Sequence, residues 1–171
     1  MLDPRQSMLF EHWKRLCPAP GQPPPRNAFD PIDVPAAIST LVLVEVVGDD
    51  LHYRLVGTDQ VAAWGHDYTG KMLTEIMSGS YYRFIRGLFD QTIETRACVF
   101  SHSRFQWDRG RSVDTRRLMM PFADNDAPEV VRYVLESQVF DFSRTGPEHP
   151  HVATGEEVER IELERAVMGG R

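Results

Sequence analysis

The sequence predicts an α+β domain: a five-stranded antiparallel sheet with helices on one face, flanked by an N-terminal helix and a C-terminal tail helix. Three observations predict it. Thr40–Val47 (TLVLVEVV) and Leu51–Val56 are strand-like runs separated by the tight turn Gly48-Asp49-Asp50, which reads as a hairpin. The strongest helix of the chain comes next, at Tyr81–Thr95. Three long β-rich runs then follow with no helix between them, which describes an antiparallel meander and excludes a parallel βαβ wrap.

Taken in order, Asp3-Pro4 offers a helix start, and Arg5–Leu16 carries Leu9, Trp13 and Leu16 at helical spacing, with Glu11, Lys14 and Arg15 on the other side. Such a helix packs on the domain's own sheet, or it offers Leu9, Trp13 and Leu16 to a second copy as a dimer contact. Cys17-Pro18 ends it. Pro18–Arg26 (PAPGQPPPR) reads as a semi-rigid spacer, or as a motif for a proline-binding module. Asp33 and Ser39 are placed to cap short helical turns before the first strand.

Strand parity puts Leu51, Tyr53 and Leu55 on one face of the second strand. A short helix with Val61 and Trp64 follows, then a glycine loop (Gly65, Gly70) and a second short helix at Met72–Met77. Ser80 is placed to N-cap the long helix, whose apolar face is Tyr81, Ile85, Leu88, Phe89 and Thr92. The meander runs Ala97–Trp107, a turn at Asp108-Arg109-Gly110, Arg111–Phe122, a turn at 123–128, and Glu129–Phe140. In its last strand Val131, Tyr133 and Leu135 alternate with Arg132 and Glu136. After Phe142 a polar linker leads to Glu156–Met168, whose composition favours a helix, either mobile or partner-binding. The organisation is thus 1–26 helix and linker, 27–142 domain, 143–171 linker and tail helix.

The chain has 171 residues and a formal charge of -6, enough length for one real core and no general attraction to nucleic acid. No run approaches the roughly 20 apolar residues of a membrane span, so a soluble cytoplasmic protein without a membrane partner is expected. Cys17 and Cys98 have no metal-ligand spacing and leave two free thiols or one disulfide.

The approach Phe29-Asp30-Pro31-Ile32-Asp33, the strand end Tyr53-Arg54-Leu55-Val56-Gly57-Thr58, the loop Tyr68-Thr69-Gly70-Lys71 and the strand end Met120-Pro121-Phe122 resemble a PAS domain. More narrowly, they are similar to a bacterial family of small stand-alone PAS-like proteins. The resemblance covers roughly residues 27 to 142 and rests on spacing rather than on a catalytic signature. It implies a sensory or regulatory module for signal transduction, acting on a small ligand or a signalling partner protein and often homodimeric through flanking helices. It does not fix a ligand, because one fold serves many sites.

The residues give no cofactor. Haem binding in this fold resembles a site with a histidine on the long helix, which here has none, and neither cysteine has the context of a flavin or chromophore attachment. No nucleophile elbow, phosphate loop, dinucleotide glycine pattern or zinc pair is present, and Gly65-His66-Asp67 has no serine at supporting spacing, so no enzyme is expected. An apolar pocket with polar handles remains, with Tyr53 and Leu55 on the sheet, Trp64, Tyr68, Tyr82, Ile85 and Phe89 opposite, and Met119 on the fourth strand. The same side chains would equally form a solid core. Arg104, Arg109, Arg111, Arg116 and Arg117 crowd one hairpin, as an anion contact (Arg116, Arg117), an acidic-partner surface or a solvated face; adjacent Arg116 and Arg117 must point to opposite faces. The functional expectation is a sensor without its own output domain. The alternatives are a small-ligand carrier or enzyme using the same pocket, and a ligand-free interaction adaptor.

Overall fold

The computed structural model describes residues 1–107, 111–141 and 155–163. Helix α1 (Pro4–Leu16) precedes three short 3-10 turns (Arg26–Ala28, Pro31–Asp33, Pro35–Thr40). The hairpin β1 (Leu41–Val47) and β2 (Asp50–Val56) leads to α2 (Thr58–Trp64), α3 (Leu73–Ile76) and the long α4 (Gly79–Thr95). Strands β3 (Cys98–Trp107), β4 (Arg111–Ala123), β5 (Val131–Asp141) and β6 (Gly155–Leu163) complete one antiparallel sheet in the order β2-β1-β5-β4-β3-β6.

The α+β sheet with helices is as expected, and it carries a sixth strand. Residues expected to start a tail helix instead form β6, antiparallel to β3 from Cys98↔Leu163 to Phe105↔Gly155. Glu and Arg favour a helix in isolation, but the open edge of β3 offers a row of unpaired backbone groups, and pairing there overrides a weak local preference. The 143–154 linker and the turn at 108–110 lie outside the described residues, as does the tail beyond Leu163.

Both faces of the sheet are covered. On one, Val42, Val44, Tyr53, Val99, Met119 and Val134 pack against Tyr68, Leu73, Ile85, Leu88 and Phe89 from the α2–α4 region. On the other, Leu41, Cys98, Leu118, Met120, Phe122 and Leu135 pack against Leu9, Trp13, Phe29, Val34 and Ala37. Helix α1 therefore belongs to the domain. Asp3 and Gln6 form a capping box at its start, where Asp3 Oδ1 accepts from Arg5 N at 2.9 Å. The Gln6 amide also donates to the carbonyls of Arg116 (3.0 Å) and Ser137 (2.9 Å), and Trp13 Nε1 donates to Pro121 O at 2.8 Å.

The proline stretch is docked as well. Pro23 and Pro24 are buried, Ala123 N donates to Pro24 O at 2.8 Å, and Pro25 bridges Ala123. Proline here works as a preshaped strip against the end of β4 rather than as a free spacer. Asp30, not Asp33 or Ser39, caps a turn, accepting from Ile32 N at 2.9 Å. The α4 N-cap is Ser78, two residues before the expected Ser80, and its side chain makes no capping bond.

At Gly57 the backbone of β2 passes so close to the preceding turn that a Cβ would lie 2.4 Å from Ser39 O and 2.7 Å from Leu41 O. The same approach gives a 2.7 Å bond from Gly57 N to Leu41 O. Glycine is required by contact here, and its place seats α2 over the sheet.

Candidate functional site

The helix-covered face divides into an aliphatic part and a polar part. Ile85, Phe89, Leu88 and Met119 are between 0% and 3% exposed and pack against Val42, Val44, Val99 and Val134. That half of the expected pocket is solid core. Leu55 is not on this face at all. A bulge opposite Leu43/Val44 leaves Arg54 without a register partner, so Tyr53 faces Val44 and Leu55 faces Leu43. One extra residue flips the parity beyond it, and Leu55 ends 45% exposed on the other face while Val56 turns inward.

The polar part lies where β3, β4 and β5 run past α4. Arg117, 1% exposed, faces the helices because it shares parity with Met119. Its Nη1 donates to Ser103 Oγ at 2.7 Å and its Nη2 to the Tyr81 hydroxyl at 3.0 Å. Its Nε lies 3.6 Å from Glu136 Oε1, and Glu136 is likewise 1% exposed. The Gln138 amide donates to the same Glu136 oxygen. Arg117 also lies 5.9 Å from the centre of the Phe84 ring, and Arg160 of β6 lies 5.8 Å from it. Arg160 Nη1 reaches Gln91 Oε1 at 3.2 Å, so the sixth strand supplies a wall of this region.

Aromatic rings floor the other side. Tyr53 and Tyr68 meet edge to face at 5.0 Å, Trp64 and Tyr68 at 6.2 Å, and Trp64 and Tyr81 at 5.9 Å. The Tyr68 hydroxyl donates to Gln60 Oε1 at 3.1 Å. Among the described residues, three buried polar atoms in this region make no hydrogen bond: Gln60 Nε2, Ser101 Oγ and Gln138 Oε1. Ser101 and Gln138 are the cross-strand neighbours of Arg117 on β3 and β5.

The electrostatics follow from burial. Loss of water drives the Glu136 carboxyl up from 4.5 to about 7, against the lowering pull of the Arg117 charge and the Gln138 bond. Burial likewise raises the hydroxyls of Tyr53, Tyr68 and Tyr81, which keeps them neutral and able to donate. A carboxyl able to change charge near neutrality thus sits beside a guanidinium that cannot.

The expected site residues are placed as follows. Tyr53, Trp64 and Tyr68 join the aromatic floor, whereas Ile85, Phe89 and Met119 are core. Tyr82 is half-buried at the rim with its hydroxyl toward Arg86, and Tyr81, one residue earlier, makes the inward bond. Arg116 lies on the α1 face, so the pair expected as an anion contact is split and only Arg117 enters the site. Arg104 is engaged by Asp114 at 2.6 and 3.2 Å on that α1 face, and the side chains of Arg109 and Arg111 lie outside the described residues. Leu9 and Trp13, offered as dimer contacts, are 1% and 2% exposed inside the protomer's own core, with Leu16 half-buried beside them. Of the stretch expected as a spacer or proline-binding motif, Pro23 and Pro24 are buried at the end of β4 while Pro18 and Pro20 are exposed, and both cysteines are free thiols. His66 is exposed in its loop, its Nδ1 3.2 Å from Trp64 O. Among the described residues no group of acidic, histidine and cysteine side chains could hold a metal, and no helix is long and apolar enough to cross a membrane.

Sequence reasoning missed Glu136, Gln138, Ser101, Ser103 and Gln60. Parity from Met119 does assign Arg117 inward, but Glu136 reads as a solvent-facing position until α1 is known to cover the opposite side.

Residues 1–134 match the family model described as a PAS domain. The chain belongs to the PAS-domain family. No curated protein and no solved structure matches it. The match begins at the first residue and so takes in α1 and the docked proline strip, in keeping with their place in the core. Membership assigns a sensory or regulatory module in general, a role in which PAS domains are not typically catalysts.

Proposed function

We propose that this PAS domain is a sensor whose input is a small ligand received in the polar half of its helix-covered face, with its output passed to a signalling partner protein. One observation carries the reading: a fully buried Arg117–Glu136 pair bordered by buried polar atoms without partners. Burying two charges costs several kcal/mol that their attraction only partly returns, and hydrophobic replacements often serve stability as well or better. Orphaned buried polar atoms add about 1–3 kcal/mol each. A site for a polar ligand accounts for both costs at the same place.

Among the described residues the aliphatic half of the face is packed solid, so the ligand contacts Arg117, Tyr81 and the Tyr53–Tyr68–Trp64 floor. We place the protein in the cytoplasm, and we place any homodimer contact away from Leu9 and Trp13, since using them would require α1 to leave its own sheet. A carrier role would use the same site, but no described feature favours catalysis there.

The test is a melting-temperature screen against a broad set of small metabolites, run on the natural protein and on Arg117→Met. A compound that raises the melting temperature of the first and not of the second supports the site. A screen without any such compound, or one whose hits act equally on both, removes it.

A further inference from the structure

We infer where the partner protein docks: the outer edge of β6 receives an extended, basic segment of that protein as a seventh strand of the sheet. This rests on the partner of the reading above and on none of its ligand. The six-stranded sheet ends in β2 on one side and β6 on the other. The β2 edge is closed by the chain's own 70–72 stretch. Tyr53 N donates to Lys71 O at 2.9 Å, Gly70 N donates to Tyr53 O at 2.7 Å, and His52 bridges Met72. β6 has β3 as its one neighbour in the sheet. In an antiparallel ladder every second residue turns its N–H and C=O away from the paired strand. Among the described residues nothing takes up that outward row, which runs along the 9 residues of Gly155–Leu163. An open edge of this length is a template for a further strand.

The charge of β6 selects the occupant. Its sequence, GEEVERIEL, sets Glu156, Glu157, Glu159 and Glu162 against Arg160 alone. A second copy laid β6 against β6 would bring two such acidic rows side by side, and like charges opposite one another in a sheet are destabilising. A segment whose alternate residues are Lys or Arg meets the same row with favourable pairs and makes the same backbone ladder. Ile161, opposite the buried Phe100, is 41% exposed, and a neighbouring strand with an aliphatic side chain there would cover it.

The edge is also joined to the helix-covered face. Arg160 fastens β6 to α4, with Nη1 3.2 Å from Gln91 Oε1 and the guanidinium 5.8 Å from the centre of the Phe84 ring. Arg117 lies 5.9 Å from that same ring. The docking edge and the polar half of the face therefore share α4 as a wall. β6 lies outside residues 1–134, so this edge belongs to what the chain adds to the matched domain.

The probe is a synthetic peptide as long as β6, alternating lysine and valine, added to the full chain. Amide hydrogen exchange over 155–163 and calorimetry are the readouts. The peptide slows exchange at alternate amides of β6, and its affinity falls as salt is raised. Replacing Glu156, Glu157 and Glu159 together by glutamine weakens it by about tenfold, three cross-strand charge pairs being lost. The same peptide with every amide N-methylated, and one alternating glutamate and valine, do not bind. No added protection at 155–163, or equal binding of the N-methylated peptide, overturns the proposal, because the contact is then absent or is charge without a ladder. Outward amides already protected in the free chain, together with the mass of a dimer, overturn it in favour of a second copy on that edge. The natural protein decides each of these outcomes even if the glutamine variant fails to fold. Failure here leaves the sensory site standing, since the melting-temperature screen reads Arg117, and failure of that screen leaves the β6 edge standing.

Discussion

Replacing Glu136 with glutamine tests the energetics of the buried pair without changing its shape. In the folded protein the carboxyl titrates at about 7, against 4.5 for an unburied one. Between those values the folded chain holds more protons than the unfolded chain, so stability falls as pH rises through that window. The favourable contribution is complete below 4.5 and wholly lost above about 7. At about 1.4 kcal/mol per pH unit, the loss is about 3 kcal/mol. Glutamine does not titrate and keeps the oxygen that accepts from Gln138. Urea denaturation of both proteins should therefore show the stability of the natural protein, minus that of Glu136→Gln, falling by about 3 kcal/mol from about pH 4.5 to about pH 8. All other titrations cancel in the difference. A difference that stays level, or grows with pH, would show that Arg117 outweighs burial and that Glu136 is an ordinary ionised partner.

Arg117→Met removes the only described cation paired with Glu136. It should cost about 3 kcal/mol at neutral pH and move the pH-dependent window upward, as read from the same denaturation series. Trp13→Ala should cost about 3–5 kcal/mol while leaving the mass in solution unchanged by light scattering. A variant that keeps its stability but changes its oligomeric state would instead return Trp13 to a subunit interface. Gly57→Ala forces a methyl against the Ser39 and Leu41 carbonyls and should cost more than about 2 kcal/mol. A melting temperature unchanged by that substitution would mean the β2–α2 junction is looser than its 2.7 Å bond indicates.

The element order was legible because it rests on local patterns: the hairpin turn at 48–50, the apolar stripe of α4, and the alternation of the meander strands. Two kinds of feature were not. The first is where an added partner changes what a pattern means. Glu136 alternates with Leu135 in good strand fashion, and alternation alone reads the charged side as solvent. It is buried because α1 and the proline strip cover Leu135's face while α2–α4 cover the other. Likewise Glu156–Leu163 has helical composition, and only the free edge of β3 makes it a strand. The second is the single-residue irregularity. The bulge at Arg54 carries no sequence mark, yet it moves Leu55 out of the site and Val56 in. Tyr82 and Tyr81 differ by one helical step, and only the position of Arg117 decides which hydroxyl faces it. The binding reading accordingly moved from an apolar pocket to a polar one, keeping Tyr53, Trp64 and Tyr68 and gaining the Arg117–Glu136 pair.

The most direct test of that pair as the heart of the site is the titration of the Glu136 side-chain carboxyl by carbon NMR. The structure predicts a midpoint at about 7. A midpoint near the ordinary glutamate value of 4.5 would contradict it.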